Sequence, residues 1–522
     1  MQWPKDPPYL SRPSAVYRFM RFLARLLSMI WFREVDVVDD ENIPSDGGII
    51  FIAWHPSGLI DPMLMISTLP GQISTIAKHT LFKIPILGRI IKASGALPII
   101  RANEGNNNSK NHNDIQLLQI SQAVARGERL IIFPEGTTHS YSQTAKVKTG
   151  AARIMQMAME IADQEGAPPP SLIPIGLHYS NTHIFRERAA VIIDRPMEIE
   201  AIPNTSDDGD DEPKREWVRN LTSNIGNELK RASHSSENWE NRHLIWRARS
   251  IIYAERARNS QTPLVKPSYA ESVLGARRLR AGWAFLSKHN PDLTTGIEEK
   301  TRSHFKTLDN YGLHPMDIDS KPDKLSAKKY LTYLASWLWA ASWMCGIVTW
   351  GAVIGNLPPY YLNRLLVMIA EKNGVNKEAI GSVKVYTSII LFPIWWAIIS
   401  IAVAWLIIAE QSPINTILSS HWLIAYLTYL PIYLVFAILF IWWPMSGRAN
   451  LSLHANATRS WRMLKRWNRW NDGDIEWDML HKQQLSIANT LVSIGDKLVL
   501  PGDTDWTNPA TGIDDSEIVT FR

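Results

Sequence analysis

The sequence predicts an α/β domain, followed by a helical connector and then by C-terminal transmembrane helices. Residues 47–200 alternate short apolar runs with helical patterns, residues 215–329 are polar and helix-rich, and long apolar segments follow residue 329. A chain of 522 residues is also too long for one ordinary domain. The apolar runs of the α/β domain are unbroken rather than alternating, so we expect its strands to be buried on both faces.

The overall composition argues against a nucleic-acid-binding protein. The net charge is +5, which is modest for this length, and no basic stripe follows the chain, so nucleic acid is not an expected partner. A modest positive charge is instead compatible with a protein that lies against anionic lipid. The single cysteine, Cys345, lies in an apolar run, so we expect a reducing compartment and neither a disulfide framework nor a cysteine-based metal site.

An amphipathic helix is predicted in residues 1–35, before the α/β domain. Apolar residues recur at helical spacing, and three arginines cluster across the opposite side. The apolar positions are Tyr17, Met20, Leu23, Leu27 and Ile30, and the arginines are Arg18, Arg21 and Arg25. This mixture of arginine and aromatic residues predicts a helix on the membrane surface, with a helix packed on the domain as the alternative.

The α/β domain is predicted to cover residues 36–205 and the helical connector residues 206–329. An acidic stretch, 204–214, marks the boundary between them. The predicted strands are 47–54, 72–78, 95–100, 129–133, 172–179 and 189–196. The predicted helices are 62–68, 85–93, 114–126 and 149–164. The alternation of these elements is typical of an α/β fold.

A membrane region is predicted over residues 330–447. Its apolar segments, 330–363, 385–409 and 422–443, are each long enough to cross about 30 Å of hydrocarbon, and tryptophan and tyrosine crowd their ends. A double proline, Pro358-Pro359, interrupts the first segment. We expect the chain to break there and to form a re-entrant hairpin over 330–370, with a single crossing as the alternative.

The distribution of lysine and arginine predicts the orientation of this membrane region. Basic residues flank the apolar segments everywhere except in the loop 410–421. The segments on either side of that loop should therefore form a transmembrane hairpin whose loop faces outward. The α/β domain and a C-terminal tail, 448–522, are then expected on the cytoplasmic face of an integral membrane protein.

The segment HPSGLIDP, residues 55–62, is the first candidate site. His55 follows an apolar run and Asp61 lies six residues later, so the two side chains can meet only if residues 56–58 turn the chain sharply. Asp61-Pro62 is also a favourable helix start, with aspartate as N-cap and proline at the first helical position. A carboxylate on one imidazole nitrogen would prepare the other to take a proton from an alcohol. The alternative is that Asp61 only caps the helix and His55 is only a turn residue.

Three further segments accompany this histidine and aspartate. GALPIIR ends at Arg101, IIFPEGTTHS covers residues 131–140, and LIPIGLHY covers residues 172–179. In their order and spacing, these segments and HPSGLIDP resemble the four blocks of the glycerolipid O-acyltransferase family over about residues 40–200. The family motif usually has four residues between histidine and aspartate, whereas residues 56–60 separate them here. The longer spacing, FPEGTTHS and IGLHY resemble fungal glycerol-3-phosphate acyltransferases, which also place membrane segments after this domain.

The resemblance implies an acyltransferase domain with a mixed sheet flanked by helices. His55, oriented by Asp61, would remove the proton of the sn-1 hydroxyl of glycerol-3-phosphate, which would then attack an acyl thioester. Acyl-CoA or acyl-carrier-protein would be the donor, with no cofactor, no metal ion and no covalent enzyme intermediate. The residues expected to bind the acceptor are Arg101, Glu135, Gly136, Thr137 and Lys148.

Other functions remain open at this point. The acceptor could be 1-acylglycerol-3-phosphate (lysophosphatidate) or another lysophospholipid, because the blocks do not separate these substrates. A metal-dependent hydrolase using His55, Asp61, His139 and His178 is disfavoured, because these residues lack the close spacing of metal ligands. A membrane scaffold with a decayed fold is disfavoured because the histidine, aspartate, arginine and glutamate of the motifs are all present.

Overall fold

The structure of this protein is a computed structural model that divides into two compact units. The first unit is Met1–Asp319 with His481–Arg522, and the second is Ser320–Leu480. The structure describes residues 3–7, 10, 12–83, 88–89, 92, 95–99, 108–139, 141–181, 186–203, 212–233, 235–236, 238–319, 327–374, 380–421, 425–473, 476–507 and 512–522.

A mixed sheet forms the centre of the first unit. Its strands are β1 (Phe32–Val38), β2 (Ile49–Ala53), β3 (Ile73–Lys78), β4 (Leu97–Ile99), β5 (Arg129–Ile132), β6 (Ser171–Tyr179) and β7 (Glu187–Ile193). Their order is β1-β7-β6-β2-β5-β3-β4. The strands β2 to β6 run parallel to one another, and β7 is antiparallel to β6 and parallel to β1. The predicted mixed sheet is therefore confirmed.

The first unit also contains helices, several of which pack on this sheet. In the described part of the unit they are α1 (Ala15–Trp31), α2 (Ile60–Thr68), α3 (Asn108–Ala125), α4 (Gly150–Glu165), α5 (Glu212–Ser233), α6 (Trp239–Asn259), α7 (Tyr269–His289), α8 (Pro291–Asn310) and α9 (Pro315–Asp319). Apolar residues of β2 and β5 pack with α3, α4 and α5 in one core. All of β2 is buried, as the unbroken apolar run predicts.

Strand β1 was missed by the sequence prediction. It mixes charged residues, among them Glu34 and Asp36, with apolar ones, and it lies at the edge of the sheet. Glu34 accepts a hydrogen bond from the backbone N–H of Tyr269, and Asp36 accepts one from that of Ala270. Both carboxylates therefore face the N-terminus of α7, where the unpaired N–H groups and the helix dipole favour negative charge.

Helix α1 forms as predicted, but the face that packs against the first unit is not the one that the sequence pattern predicted. Arg21, which was expected on the polar side, is buried and pairs with Asp6 at 2.7 Å and with the carbonyl of Gly71. Tyr17, which was expected on the apolar side, is also buried against the unit. The ion pair allows a charged side chain to face inward. The helix consequently exposes a stripe of apolar residues: Val16, Phe19, Phe22, Leu26, Met29 and Ile30.

The second unit contains the apolar helices. In its described part they are α10 (Ala327–Met344), α11 (Ile347–Lys372), α12 (Ile380–Ile408), α13 (Pro413–Ser419) and α14 (Ile432–Asn471). By length and composition, α12 and residues Ile432–Arg469 could each cross a membrane, and the bent pair formed by α10 and α11 could be a third span or a re-entrant loop. In the described part of the segment predicted over 422–443, Ala425–Tyr429 form a short 3-10 helix and the α-helix begins at Ile432, directly after Pro431.

The predicted break at the double proline is wrong. Helix α11 continues through Pro358 and Pro359, and the 59° bend lies before it, between Met344 and Val348. A proline leaves the carbonyl four residues earlier without its helical partner. The indole N–H groups of two neighbouring tryptophans donate to those carbonyls, from Trp395 to Ile354 and from Trp396 to Gly355, each at 2.9 Å. These bonds replace the lost helical ones, so the helix continues.

Replacing Trp396 with phenylalanine should destabilise the second unit by about 1 kcal/mol, the scale of one interhelical hydrogen bond in a membrane protein. The phenyl ring preserves the packing but leaves the carbonyl of Gly355 without the indole donor. Thermal unfolding in detergent measures the loss. Trp405→Phe is the matched control, because Trp405 lies on the same helix and is 62% exposed. Equal melting temperatures for the two variants would contradict the role of this bond.

The segment 448–522, which was predicted as a C-terminal tail, contains helices and two short strands. Helix α14 extends to Asn471, and a further helix, α15 (Trp477–Gly495), leads into two short strands, β8 (Leu498–Val499) and β9 (Thr520–Phe521). Leu498 and Val519 pack with Phe285 of α7 in one apolar cluster. The chain from His481 onward is thus part of the first unit, as are the helices α5 to α9 of the predicted connector.

Candidate active site

The candidate residues follow the carboxyl ends of neighbouring parallel strands. His55 comes two residues after β2, Glu135 three residues after β5, and Tyr179 is the last residue of β6. β2 lies between β5 and β6 in the sheet. The carboxyl ends of parallel strands meet at one edge, which is where open α/β sheets place their ligand sites.

His55 and Asp61 form a hydrogen-bonded pair at this edge. The Nδ1 atom of His55 lies 2.8 Å from Oδ2 of Asp61, and the same oxygen accepts the backbone N–H of Ser57 at 2.8 Å. Asp61 is completely buried, whereas the His55 side chain keeps 17% of its surface exposed. A carboxylate can only accept, so Nδ1 carries the proton and Nε2 is left with its lone pair. No described residue forms a hydrogen bond with Nε2.

The chain turns sharply between the two residues, as predicted, but helix α2 does not begin at the predicted residue. Gly58 adopts a φ of +57°, a left-handed conformation that glycine tolerates best. Helix α2 begins at Ile60 with Leu59 as its N-cap, so Asp61 is not the N-cap that was predicted. Its carboxylate instead binds His55 and Ser57. The His55 ring also stacks on Phe133, with 4.1 Å between the ring centroids.

Glu135 supports the backbone of His55 from the neighbouring strand. Its Oε2 accepts the backbone N–H of His55 at 3.1 Å. Its Oε1 accepts from Nε2 of His139 at 2.9 Å and from the backbone N–H of Ala145 at 2.7 Å. The side chain is fully buried, so both carboxylate oxygens serve protein donors. This geometry favours a structural role beside His55 over the predicted contact with the acceptor.

His139 donates a hydrogen bond to this glutamate. The backbone N–H of Tyr141 points to Nδ1 of His139 at 3.4 Å, so the ring proton lies on Nε2, which faces Glu135. The ring also stacks on Tyr141, with 4.9 Å between centroids. His139 is buried. It therefore supports the loop after β5.

His178 has a different environment from His139. It is buried, and burial together with the charges of Arg277, Arg242 and Arg280 lowers its pKa well below the usual histidine range. Among the described residues, no group of three or more histidine, cysteine, aspartate or glutamate side chains is arranged to hold a metal ion.

Gly136, Thr137 and Lys148 lie together on the loops that follow β5. The ammonium group of Lys148 lies so close to Gly136 that a Cβ there would approach Nζ to 2.7 Å. Gly136 has a φ of +66°, and the backbone N–H of Lys148 donates to the carbonyl of Pro134 at 2.9 Å. Thr137 and Lys148 are exposed. These groups could bind an anion, whereas Arg101 lies outside the described residues.

Tyr179 was missed by the sequence-based choice of site residues. Its hydroxyl donates to Oδ1 of Asp61 at 2.7 Å. Part of the signal was present, because LIPIGLHY is a predicted strand. Since that strand runs parallel to β2 in the structure, its last residue lies at the same sheet edge as His55. A buried tyrosine hydroxyl at such an edge needs a partner.

Comparisons with known proteins support the resemblance seen in the motifs. Residues 34–178 match the family model described as Acyltransferase. The chain is 36% identical over 124 residues to the 1-acyl-sn-glycerol-3-phosphate acyltransferase of Bacillus subtilis, covering 24% of this chain and 57% of that protein. It is 23% identical over 170 residues to the protein of the same name from Borreliella burgdorferi, covering 32% and 61%. It is 25% identical over 184 residues to the Glycerol-3-phosphate O-acyltransferase 1 of Saccharomyces cerevisiae, covering 34% and 22%.

The matched region is the part of the chain that contains the site. It extends from β1 to β6 and includes His55, Asp61 and Glu135. The chain spans less than two thirds of the length of each of these relatives. The similarity to the Acyltransferase family model therefore lies in residues 34–178, the part of the chain that contains His55, Asp61 and Glu135.

Proposed function

We propose that this protein is a membrane-bound O-acyltransferase that moves a fatty acyl group from an acyl thioester to the sn-1 hydroxyl of glycerol-3-phosphate. The observation that carries the proposal is the His55–Asp61 pair, with Nδ1 bound to a buried carboxylate and Nε2 left free for a substrate proton. The similarity to a yeast protein named Glycerol-3-phosphate O-acyltransferase 1 supports this acceptor.

In this mechanism His55 acts first as a base and then as an acid. Nε2 takes the proton from the acceptor hydroxyl as its oxygen attacks the thioester carbonyl. The new C–O bond forms, the C–S bond breaks, and the leaving thiolate takes the proton from the imidazolium. Asp61 stabilises the imidazolium between these steps because its carboxylate is already aligned with Nδ1. The products are an ester and a free thiol.

We assign the phosphate of the acceptor to the loop that follows β5. Lys148 offers a flexible positive charge beside Gly136 and Thr137, and a charged donor forms the stronger class of hydrogen bond with phosphate. Arg101 remains a predicted second ligand of that phosphate. Glu135, with its oxygens bound to protein donors, supports the loop in this assignment.

Lys148→Ala should raise the KM for a phosphate-bearing acceptor about tenfold, the scale of one lost charge-assisted hydrogen bond, and should change kcat much less. Steady-state kinetics with varied acceptor concentration measure both constants. Lys146→Ala is the control, because Lys146 is an exposed lysine two residues away with no assigned contact. An unchanged KM in Lys148→Ala would exclude this lysine from the phosphate site.

The membrane supplies both the location and the environment for this reaction. The apolar stripe of α1 is proposed to lie on the lipid surface, and the long apolar helices of the second unit to anchor the chain. We place the first unit on the cytoplasmic face, because lysine and arginine flank the apolar segments. To test this orientation, a cysteine is introduced at Lys146 in a Cys345→Ala background and is treated with a membrane-impermeant thiol reagent in sealed inside-out vesicles. We expect the cysteine to be labelled, and protection from the reagent would show that the first unit lies on the opposite face.

Transfer of a labelled acyl group tests the proposed function. Membranes containing the protein are incubated with labelled acyl-CoA or acyl-carrier-protein and with either glycerol-3-phosphate or 1-acylglycerol-3-phosphate. We expect labelled 1-acylglycerol-3-phosphate from the first acceptor. The absence of product with every donor and either acceptor would overturn the proposal.

A second candidate acceptor is 1-acylglycerol-3-phosphate. It is favoured by the similarity to the two bacterial proteins named as acyltransferases of that compound. The site and the proton transfers would be the same, because both acceptors carry a phosphate and a free hydroxyl. A higher kcat/KM for the second acceptor in the same assay would assign the protein to that step.

A further inference from the structure

We propose that Tyr179 is a positioning residue of this site, and that strand β6 thereby holds both ends of the His55–Asp61 turn. Its hydroxyl would fix the carboxylate that orients the catalytic base. The inference rests on the proposed function, in which His55 acts through Nε2.

The first argument is the hydrogen bonding of Asp61. This side chain is completely buried, and its two oxygens accept different donors. Oδ2 accepts from His55 and from the backbone of Ser57, whereas Oδ1 accepts the Tyr179 hydroxyl at 2.7 Å. Tyr179 is the one hydrogen-bond partner of Oδ1 among the described residues. Without it, a buried carboxylate oxygen would have no donor, which is costly.

The second argument is that Tyr179 is itself fixed in place. Its ring is buried and stacks on Phe32, with 5.8 Å between centroids and 19° between planes. Burial, together with the neighbouring Asp61 carboxylate, raises the pKa of the Tyr179 hydroxyl well above its usual value. The hydroxyl therefore remains a proton donor over the working pH range, and the rigid ring keeps it aimed at Asp61.

The third argument is that β6 also holds the other end of the turn. The indole N–H of Trp54, the residue before His55, donates to the backbone carbonyl of Leu177 at 2.8 Å. Two positions of one strand, Leu177 and Tyr179, thus bind the residue before the histidine and the aspartate itself. Both ends of the turn are held by strand β6, so the number of residues between histidine and aspartate need not be the four of the usual family motif.

Tyr179→Phe should lower kcat about tenfold or more for the preferred acceptor and leave KM nearly unchanged, because it removes one hydrogen bond to a charged group that no substrate contacts. The phenyl ring preserves the stacking on Phe32. Tyr253→Phe on α6 is the matched control, and it should retain wild-type kinetics.

A double-mutant cycle separates positioning from a general structural effect. Kinetics are measured for wild type, Tyr179→Phe, Asp61→Asn and the double variant, at a temperature below all four unfolding transitions. If the hydroxyl acts through Asp61, Tyr179→Phe should change kcat less than twofold in the Asp61→Asn background. A full additional loss there, or wild-type kcat in Tyr179→Phe alone, would overturn the inference and leave the proposed function intact. A wild-type protein inactive on both acceptors would overturn the proposed function and this inference with it.

Discussion

His55→Ala is expected to lower kcat for acyl transfer by about 10²–10⁴-fold, the range that a positioned general base contributes. The reason is geometric. Nε2 of His55 has no hydrogen-bond partner among the described residues. The other ring nitrogen, Nδ1, binds the buried carboxylate of Asp61, and the ring stacks on Phe133. Alanine removes the proton acceptor and leaves the loop after β5, with Lys148, in place. The KM for the acceptor should therefore change little.

The measurement is steady-state transfer of a labelled acyl group in detergent or in membranes, with wild type and variant compared at equal protein. His243→Ala is the control for loss of a histidine, because His243 is exposed on α6 in the same unit. Retention of wild-type kcat in His55→Ala would exclude His55 as the base. Residual activity would then have to arise from a group elsewhere at the sheet edge.

The sequence predicted those features of the site that depend on neighbouring residues. An apolar run, a turn with Gly58 and a following helix bring His55 and Asp61 together within one short segment, and the structure places them 2.8 Å apart. The α/β class followed from the alternation of strands and helices, whereas the mixed sheet was implied by the family resemblance. The turn and the alternation are local in sequence, so periodicity and turn chemistry suffice to predict them.

The features that the sequence did not predict depend on pairs of distant residues. The Tyr179 hydroxyl reaches Asp61 across 118 positions of the chain, and Trp396 reaches the carbonyl of Gly355 across 41. The inward face of α1 was assigned wrongly because the partner of Arg21 is Asp6, which precedes the helix. A pattern of apolar and charged residues does not show which charge finds a buried partner, so such contacts appear only in the folded chain.

Glu135 is the residue for which the sequence and the structure favour different roles, and its substitution is the second large effect we expect. Motif resemblance assigns its carboxylate to the acceptor, whereas the structure binds that carboxylate to the backbone of His55, the His139 ring and Ala145. The two roles predict opposite kinetics. Loss of an acceptor ligand raises KM, while displacement of His55 lowers kcat.

Glu135→Gln should lower kcat about 100-fold and leave the acceptor KM nearly unchanged, because a displacement of about 1 Å in a reacting group can cost that much. Glutamine has the same shape, but an NH₂ group replaces one of the two carboxylate oxygens. That NH₂ group cannot accept hydrogen bonds from the N–H groups that face the replaced oxygen. Steady-state kinetics of the variant measure both constants. Glu165→Gln, at a 41% exposed position paired with Arg126, is the control and should be silent.

The outcome decides how the loop after β5 takes part in the reaction. A raised KM with wild-type kcat would return Glu135 to the acceptor site and would require its hydrogen bonds to His55 and Ala145 to break when substrate binds. A lowered kcat at constant KM would mean that the loop supports the base from the β5 side. His55 would then be held through its ring by Asp61 and through its backbone by Glu135, so its position would be set before the substrate arrives.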